Sequence, residues 1–283
     1  MSADINPPPL CNTGVEKSVS LSIDWIEGTY KHNEARRPMP LILTEDGEEC
    51  TGFHGYDAGR KYQDGRLEMW HNTRPEMGLH IQWSGGSVQS APVDGLSLVA
   101  YLEATGFSFT RLDLAVDVRG WDFHPSLLTE QIANGDYICR ARKFPQWGDP
   151  KNPGHTQYVG KRPSAIYLCI YDKAAELGVG KDHTRIELRV GKGRAQATAK
   201  AILRGVDFRQ LVLGFVRFPK LPQWEEIMGV DAVKIPVQKA DSATEKWLLS
   251  QCAPALARLL DDAEDDTFWF KFLRQVEISR QEI

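Results

Sequence analysis

The sequence predicts an α+β fold, a mainly antiparallel sheet with helices on one face and a helical C-terminal extension. Several short stretches alternate apolar and polar residues with the period of a half-buried strand, and most are bounded by Gly, Pro or Asn. Between them lie stretches with helical spacing, so strand–helix–strand units mix with adjacent antiparallel strands. No Gly-rich phosphate loop stands at a strand–helix junction, which argues against a nucleotide-hydrolysing motor.

Residues 1–18, with the triple proline of "MSADINPPPLCNTG", read as a loose leader. "VSLSIDWIEGTY" (19–30) is a first strand carrying Ile23 and Trp25, with an exit turn at Gly28. Residues 31–60 are polar and dotted with glycine, a loop or an irregular hairpin. "GRLEMWHN" and "GLHIQWSGG" are two strands, separated by a turn at Pro75 and Gly78. "DGLSLVAYLEATG" has helical spacing, with Asp94 placed to cap it and Gly106 to stop it. "FTRLDLAVDV" (109–118) alternates strictly, with Leu112, Leu114 and Val116 on one side and Arg111, Asp113 and Asp117 on the other. "HPSLLTEQIANG" is a short helix between a proline and Asn134-Gly135. After a basic, Pro-rich loop, "HTQYVG", "AIYLCIYD" and "TRIELRV" are three more strands. "GRAQATAKAILRG" is a basic helix, and "DFRQLVLGFVRF" continues the helical layer. The remainder is mostly helical, most clearly in "TEKWLLSQCAPALARLL". The expected organisation is a leader (1–18), a sheet-bearing domain holding the chemistry (19–221) and a helical extension packed on or beside it (222–283).

Composition bounds the function. An apolar fraction of 42% with 25% charged residues is that of an ordinary globular protein. No apolar run approaches the ~18–20 residues that cross a bilayer, so no membrane role is expected. The N-terminus lacks the basic and apolar regions of a signal peptide. The five cysteines form no C-x-x-C pair, as expected of reduced thiols in a cytoplasmic protein. Net charge is −4, yet residues 138–204 hold 14 Lys and Arg against 5 Asp and Glu. Such segregation can build a positive field over one face of an acidic protein.

Four strands carry polar groups where a half-buried sheet normally shows neutral ones. Asp113 and Asp117 share a face of 109–118, and Arg185, Glu187 and Arg189 alternate with Ile186, Leu188 and Val190. His80 and Gln82 share a face opposite Leu79, Ile81 and Trp83. In "SAIYLCIYDKAAE", Tyr167, Cys169 and Tyr171 share a face and Lys173 follows. Any one such strand is ordinarily the solvent side of a sheet. Two aspartates on one strand face, however, are costly unless an arginine or a divalent cation neutralises them. Oxygen-rich ligands with one imidazole suit Mg²⁺ or Mn²⁺ better than Zn²⁺. If His80, Asp113 and Glu187 converge, with Asp117 as a further ligand, their cation would polarise a phosphodiester. A tyrosine, with an ordinary pKa of ~10, needs a metal, a base or a cation to act as a nucleophile. Lys173 lies on the face of Tyr171 if the strand continues, and could supply that field.

In this order, "SIDWIEGT", "MGLHIQWSGG", "FTRLDLAVDV", "TQYVGKRPSAIYLCIYDKAAE", "HTRIELRV" and "LVLGFVRF" resemble the Rep_trans-type replication initiation factors of rolling-circle plasmids and filamentous phages, which are related to relaxases. The resemblance spans roughly residues 20–260. It implies a ferredoxin-like, HUH-nuclease-like sheet that nicks one DNA strand and becomes joined to the 5′-phosphate through tyrosine. By motif, Tyr171 would be the nucleophile, ahead of Tyr158 and then Tyr167. His80, Asp113 and Glu187 fall in the blocks that would hold the metal, and Lys161 and Arg162 would contact phosphate, as would Arg185, Arg189 and Arg194 in the basic span. The chain departs from the family at Cys169, where an arginine usually stands two residues before the motif tyrosine. The implied partner is origin DNA, single-stranded or hairpin, with a host helicase and a second copy of the chain as further candidates. The alternatives are a non-catalytic DNA-binding regulator of a phage or plasmid with the same sheet, and a phosphodiesterase that uses water.

Overall fold

Strict alternation builds the central strand, Ser108–Arg119, whose Leu112, Leu114, Val116 and Val118 are fully buried on one side. In the computed structural model the described residues are 16–31, 47–62, 67–71, 75–139, 156–161, 164–178 and 182–236. The chain divides into two units between Gln238 and Lys239, and every described residue lies in the first. The leader up to residue 15, the loop 32–46, Arg162, the helix expected at 244–260 and the "DDAEDD" stretch lie outside the described residues.

Strands β1 (Ser18–Tyr30), β2 (Glu48–Thr51), β3 (Ala58–Tyr62), β4 (Leu67–His71) and β5 (Leu79–Trp83) are followed by helices α1 (Gly85–Gln89) and α2 (Gly95–Ala104). Then come β6 (Ser108–Arg119), α3 (Ser126–Ala133), β7 (Ile138–Cys139), β8 (Gln157–Val159), β9 (Ile166–Asp172), α4 (Lys173–Leu177) and β10 (His183–Gly191). Helices α5 (Ala195–Leu203) and α6 (Phe208–Phe215), strand β11 (Val216–Arg217) and helix α7 (Pro222–Met228) complete the described elements. Nine strands form one antiparallel sheet in the order β2-β3-β4-β5-β1-β6-β10-β9-β8, and β11 pairs with β7 apart from it. The expected α+β, mainly antiparallel fold is therefore present. The Gly-dotted stretch before residue 60 contributes a hairpin, β2–β3, that extends the sheet. The "VRF" end of the stretch read as helical leaves its helix to form β11.

Register follows from burial. Leu114 stands opposite Leu188, which stands opposite Leu168; Val116, Ile186 and Ile170 form the next row. All six are wholly buried. At about 1.5–3 kcal/mol for each such side chain, a slip by one residue would put the whole set on the wrong face. The rows of the opposite, polar face are fixed by the same pairing. Helices α2, α5 and α6 supply Leu98, Leu102, Ala199, Ile202, Leu211 and Val212 to the core. Asp94 caps α2 as expected, accepting from the Leu96 and Ser97 amides at 3.0 Å.

Strand β1 departs from simple alternation twice, with shifts against β6 between Ile23 and Trp25 and between Glu27 and Gly28. Period two would keep Ile23 and Trp25 on one face. The first bulge instead takes up Asp24 as an extra residue, so Asp24 and Trp25 both reach the polar face and Ile26 returns to the core. Gly28 marks no exit turn, because the strand runs on to Tyr30. A Cβ there would stand 2.3 Å from the Ser108 carbonyl and 2.6 Å from the Phe107 ring.

Candidate active site

The polar face of β1, β6, β10 and β9 carries the titratable groups in rows. Tyr171 lies opposite Arg185, which lies opposite Asp117. Cys169 lies opposite Glu187, which lies opposite Ala115. Tyr167, Arg189, Asp113 and Trp25 form a third row. Tyr158 of β8 stands opposite Cys169, so all three candidate tyrosines share this face.

Tyr171 is half-buried. Burial pushes its phenol well above the ordinary range, the charge of Glu187 pushes it further, and Arg185 pulls against both. Arg185 is held rigidly: Nε and Nη2 each donate to Asp117 at 2.8 Å, and Nη1 donates to Asp24 Oδ1 at 2.5 Å. His183 Nε2 donates to the same Asp117 Oδ1 at 2.8 Å. Burial opposes ionisation of Asp117, but the hydrogen bonds and charge of Arg185, with His183, hold its carboxyl below the usual range. Asp24 is shifted the other way, raised by burial and then by Glu187 against the pull of Arg185.

Asp113 and Glu187 come together as the sequence suggested, but between arginines. Arg111 donates to both Asp113 oxygens, at 3.0 and 2.5 Å, and Arg189 Nε donates to Glu187 Oε1 at 2.6 Å. Arg189 Nε also lies 3.6 Å from Asp113 Oδ2. Burial raises both carboxyls; Glu187 is raised further by Asp113, against Arg189.

His80 does not join them. It faces Thr29, Asp113 faces Trp25, and β1 separates their strands. Strand geometry puts them roughly 15 Å apart, too far to share a cation. The His80 ring instead has Nδ1 3.0 Å from Thr29 Oγ1 and Nε2 3.3 Å from Glu27 Oε1. Asp117 is likewise committed to Arg185 and His183. Among the described residues, no three His, Cys, Asp or Glu side chains are grouped as a metal site. Glu187, Glu176 and Asp24 are the carboxylates whose charge reaches the phenol, and of these Glu176 is exposed and paired with Lys173. A magnesium-type ion commonly takes one or two carboxylates plus substrate phosphate and water. Ser22 Oγ, two residues before Asp24 on the same strand, is buried without a hydrogen-bond partner. Hard oxygen donors of this kind suit Mg²⁺ or Mn²⁺, and Asp24 is close enough to Glu187 to feel its charge, although each already accepts from an arginine. His80 lies too far off to complete the expected trio.

The remaining candidates separate. Strand β9 ends at Asp172, which caps α4 by accepting from the Ala175 amide at 3.0 Å. Lys173 therefore opens a helix and does not continue the strand, yet its Nζ reaches back to 5.7 Å from the Tyr171 ring and pairs with Glu176 at 2.6 Å. Tyr167 Oη accepts from Arg189 Nη1 at 3.0 Å. Lys161 is exposed in the turn after β8. Arg194 donates to the Ile235 carbonyl at 3.2 Å, a contact that ties down the segment after α7. Asp24, His183, Arg111 and Trp25 were missed. Asp24 carried a readable signal, since an aspartate within the strand "SIDWIEG" is as anomalous as those at 113 and 117.

A sequence model for the family described as "Replication initiation factor", Rep_trans, matches residues 107–270, more than half of the chain. The putative DNA relaxase NicK of Bacillus subtilis (strain 168) is 26% identical over 309 aligned residues, covering 89% of this chain and 84% of that one. The rolling circle replication initiator protein from Geobacillus stearothermophilus superposes with a TM-score of 0.62 at 20% identity, over 78% of this chain and 100% of that chain. Among the described residues no helix is long and apolar enough to cross a membrane.

Proposed function

The chain belongs to the family of replication initiation factors, and on that premise we propose that it starts rolling-circle replication by nicking one DNA strand through Tyr171 and later rejoining strands. The observation that carries the reading is the placement of Tyr171: on the polar face, directly opposite the clamped Arg185, with the charges of Glu187 and Asp24 reaching its phenol. The catalytic segment is 19–221, which holds every residue named in this role.

In the nicking step the Tyr171 oxygen attacks phosphorus and the bond from phosphorus to the 3′-oxygen breaks. The phenolic proton passes to a carboxylate, Asp24 or Glu187, and the leaving 3′-oxygen takes up a proton. The product is a 5′-phosphotyrosine ester and a 3′-hydroxyl that can prime synthesis. Because the ester replaces one phosphodiester with another, the 3′-hydroxyl of a later strand can reverse the step. A phenol held above its ordinary pKa is a poor nucleophile at neutral pH, so the step needs cationic help. Arg185 supplies it without reorganising, because Asp117 and His183 fix its guanidinium before substrate arrives. Asp24 and Glu187 would hold the divalent cation, which when bound would offset charge developing on the phosphate. Lys161 and the arginines near the site meet the backbone in a manner blind to sequence and sensitive to salt.

Single-stranded fragments of the protein's own replicon, incubated with it and Mn²⁺ and run on denaturing gels, test the reading. A covalent protein–DNA adduct is expected, and mass spectrometry should place the nucleotide on Tyr171. Attachment to Tyr158 would move the nucleophile to the edge strand. Cleavage without an adduct would mean that water attacks, and binding without cleavage would leave a regulator.

A further inference from the structure

Two stacked pairs that the nicking step does not use sit at the third row of the polar face, one of them completed by Arg111 from the next row along β6. The Arg111 guanidinium sits 4.1 Å from the centre of the Trp25 ring, and Arg189 sits 5.4 Å from that of Tyr167. Both rings are half-buried and keep part of their surface open. The two arginine side chains are 30% and 24% exposed. Between them stands Asp113, wholly buried, which holds Arg111 through two hydrogen bonds. Tyr167, Arg189, Asp113 and Trp25 are in direct register across four strands. The two platforms are therefore about 14 Å apart across the sheet, and the Tyr167 end lies about 13 Å along β9 from Tyr171.

Trp25 is on this face only because the bulge at Asp24 turns it there. In an unbroken strand it would lie with Ile23 in the core, where a large apolar ring contributes most to stability. A tryptophan turned out of the core and covered by a guanidinium that a buried carboxylate orients is costly as packing and well suited to stacking. Bases that leave a duplex are held in this way, on aromatic rings and on guanidinium planes, with nearby cations meeting the phosphates.

We propose that Trp25 with Arg111, and Tyr167 with Arg189, are two stacking platforms that hold unpaired bases of the DNA strand beside the nick. The platforms accept any base, since every base has a flat face. They fix where the strand lies along the sheet, and so which phosphate reaches Tyr171. The proposal rests on the nicking function described above and names the part of the substrate that this face grips.

The test compares two probes on a background that cannot cleave. Anisotropy titrations with Tyr171→Phe protein use a fluorescein-labelled oligodeoxythymidine and an abasic oligomer of the same length, which carries the same phosphates and no bases. The protein should prefer the thymidine probe by at least about tenfold, the size of one or two stacked bases. Adding Trp25→Ala should cut that preference by about tenfold while abasic affinity changes little. Arg111→Gln should act in the same direction, and it spares the ring if loss of Trp25 disturbs folding. Because the preference is a ratio within one protein, partial unfolding cancels from it. A preference unchanged in both variants would overturn the proposal while leaving the nicking reading intact. Failure of Tyr171→Phe protein to bind either probe would instead sink the DNA reading on which it rests.

Discussion

Asp117→Asn separates a clamp from a metal ligand by the sign of its effect. Asparagine matches the shape of aspartate but carries no charge, and it has one acceptor oxygen where Asp117 uses two. Three donors converge on those oxygens at 2.8 Å: Nε and Nη2 of Arg185 and Nε2 of His183. In the variant at least one donor meets an amide NH₂, and Arg185 loses its main counter-charge in a site only 6–8% exposed. Breaking a buried pair from one side costs about 3 kcal/mol, which in a domain of this size lowers Tm by roughly 6–12 °C. Scanning calorimetry on metal-free protein at pH 7 measures it. Asp117 is held below its ordinary pKa, so the lost contribution is present above the unfolded value of ~3.9 and disappears as pH falls through the folded one. The gap between wild type and variant should therefore close below about pH 4. A metal ligand would behave oppositely: without metal, removing its charge relieves repulsion and leaves Tm unchanged or higher, and added Mn²⁺ then stabilises wild type alone. A metal-free Tm at or above that of wild type would refute the clamp.

Tyr171→Phe should abolish nicking and the covalent adduct while leaving Tm and oligonucleotide affinity close to wild type, because only the phenolic oxygen is lost; nicking at the wild-type rate would remove Tyr171 from the mechanism. Asp113→Ala should cost about 3 kcal/mol, since Arg111 and Arg189 lose the buried carboxylate between them, and Mn²⁺ should not restore activity; recovery with Mn²⁺ would return Asp113 to a metal-binding role. Glu187 is raised, so its ionised form is disfavoured in the fold and wild-type stability falls as pH climbs from ~4.3 through the folded value. Glu187→Gln removes that dependence, and calorimetry should show its Tm gaining on wild type between pH 4 and pH 8. A gap that shrinks over that range would mean that Arg189 outweighs burial.

Period two made most of the central sheet legible. Strict alternation in β6, β9 and β10 placed Asp113, Glu187, Arg185 and Tyr171 on one face, and their pairing needed only that the three strands be neighbours. Legibility failed where the period broke. The bulge in β1 moved Trp25 across the sheet and hid the partnership of Asp24 with Arg185, which joins residues 161 positions apart. The strand stops short of Lys173 because Asp172, which reads equally well as a last strand residue and as a helix cap, caps α4, yet the Lys173 ammonium still reaches the Tyr171 ring. His80 was grouped with the wrong carboxylates for another reason. Alternation gives the face of a residue but neither the order of the strands nor the position along them, and β1 inserts itself between β5 and β6. Arginine–carboxylate pairing and metal ligation also leave the same trace in sequence, buried acids on a strand. Only the donors around each oxygen tell them apart.

The two faces of the sheet explain each other. The apolar rows supply burial worth many kcal/mol, and that surplus lets the opposite face hold groups in states they would not choose in water. Asp24 and Glu187 are both raised toward neutrality, the phenol of Tyr171 is raised away from its anion, and Arg185 is drawn between two carboxylates. A carboxylate with a raised pKa is a stronger base when ionised, so the burial that makes the phenol reluctant to ionise also strengthens the groups that could take its proton. Phosphate in the site would add negative charge beside these groups and raise all of them further, unless Arg185 or a divalent cation met it. The cations are therefore a condition for substrate to enter at all. The clamp serves that condition by holding the Arg185 guanidinium in one place: Asp117, itself bonded to His183, and Asp24 together accept three hydrogen bonds from it.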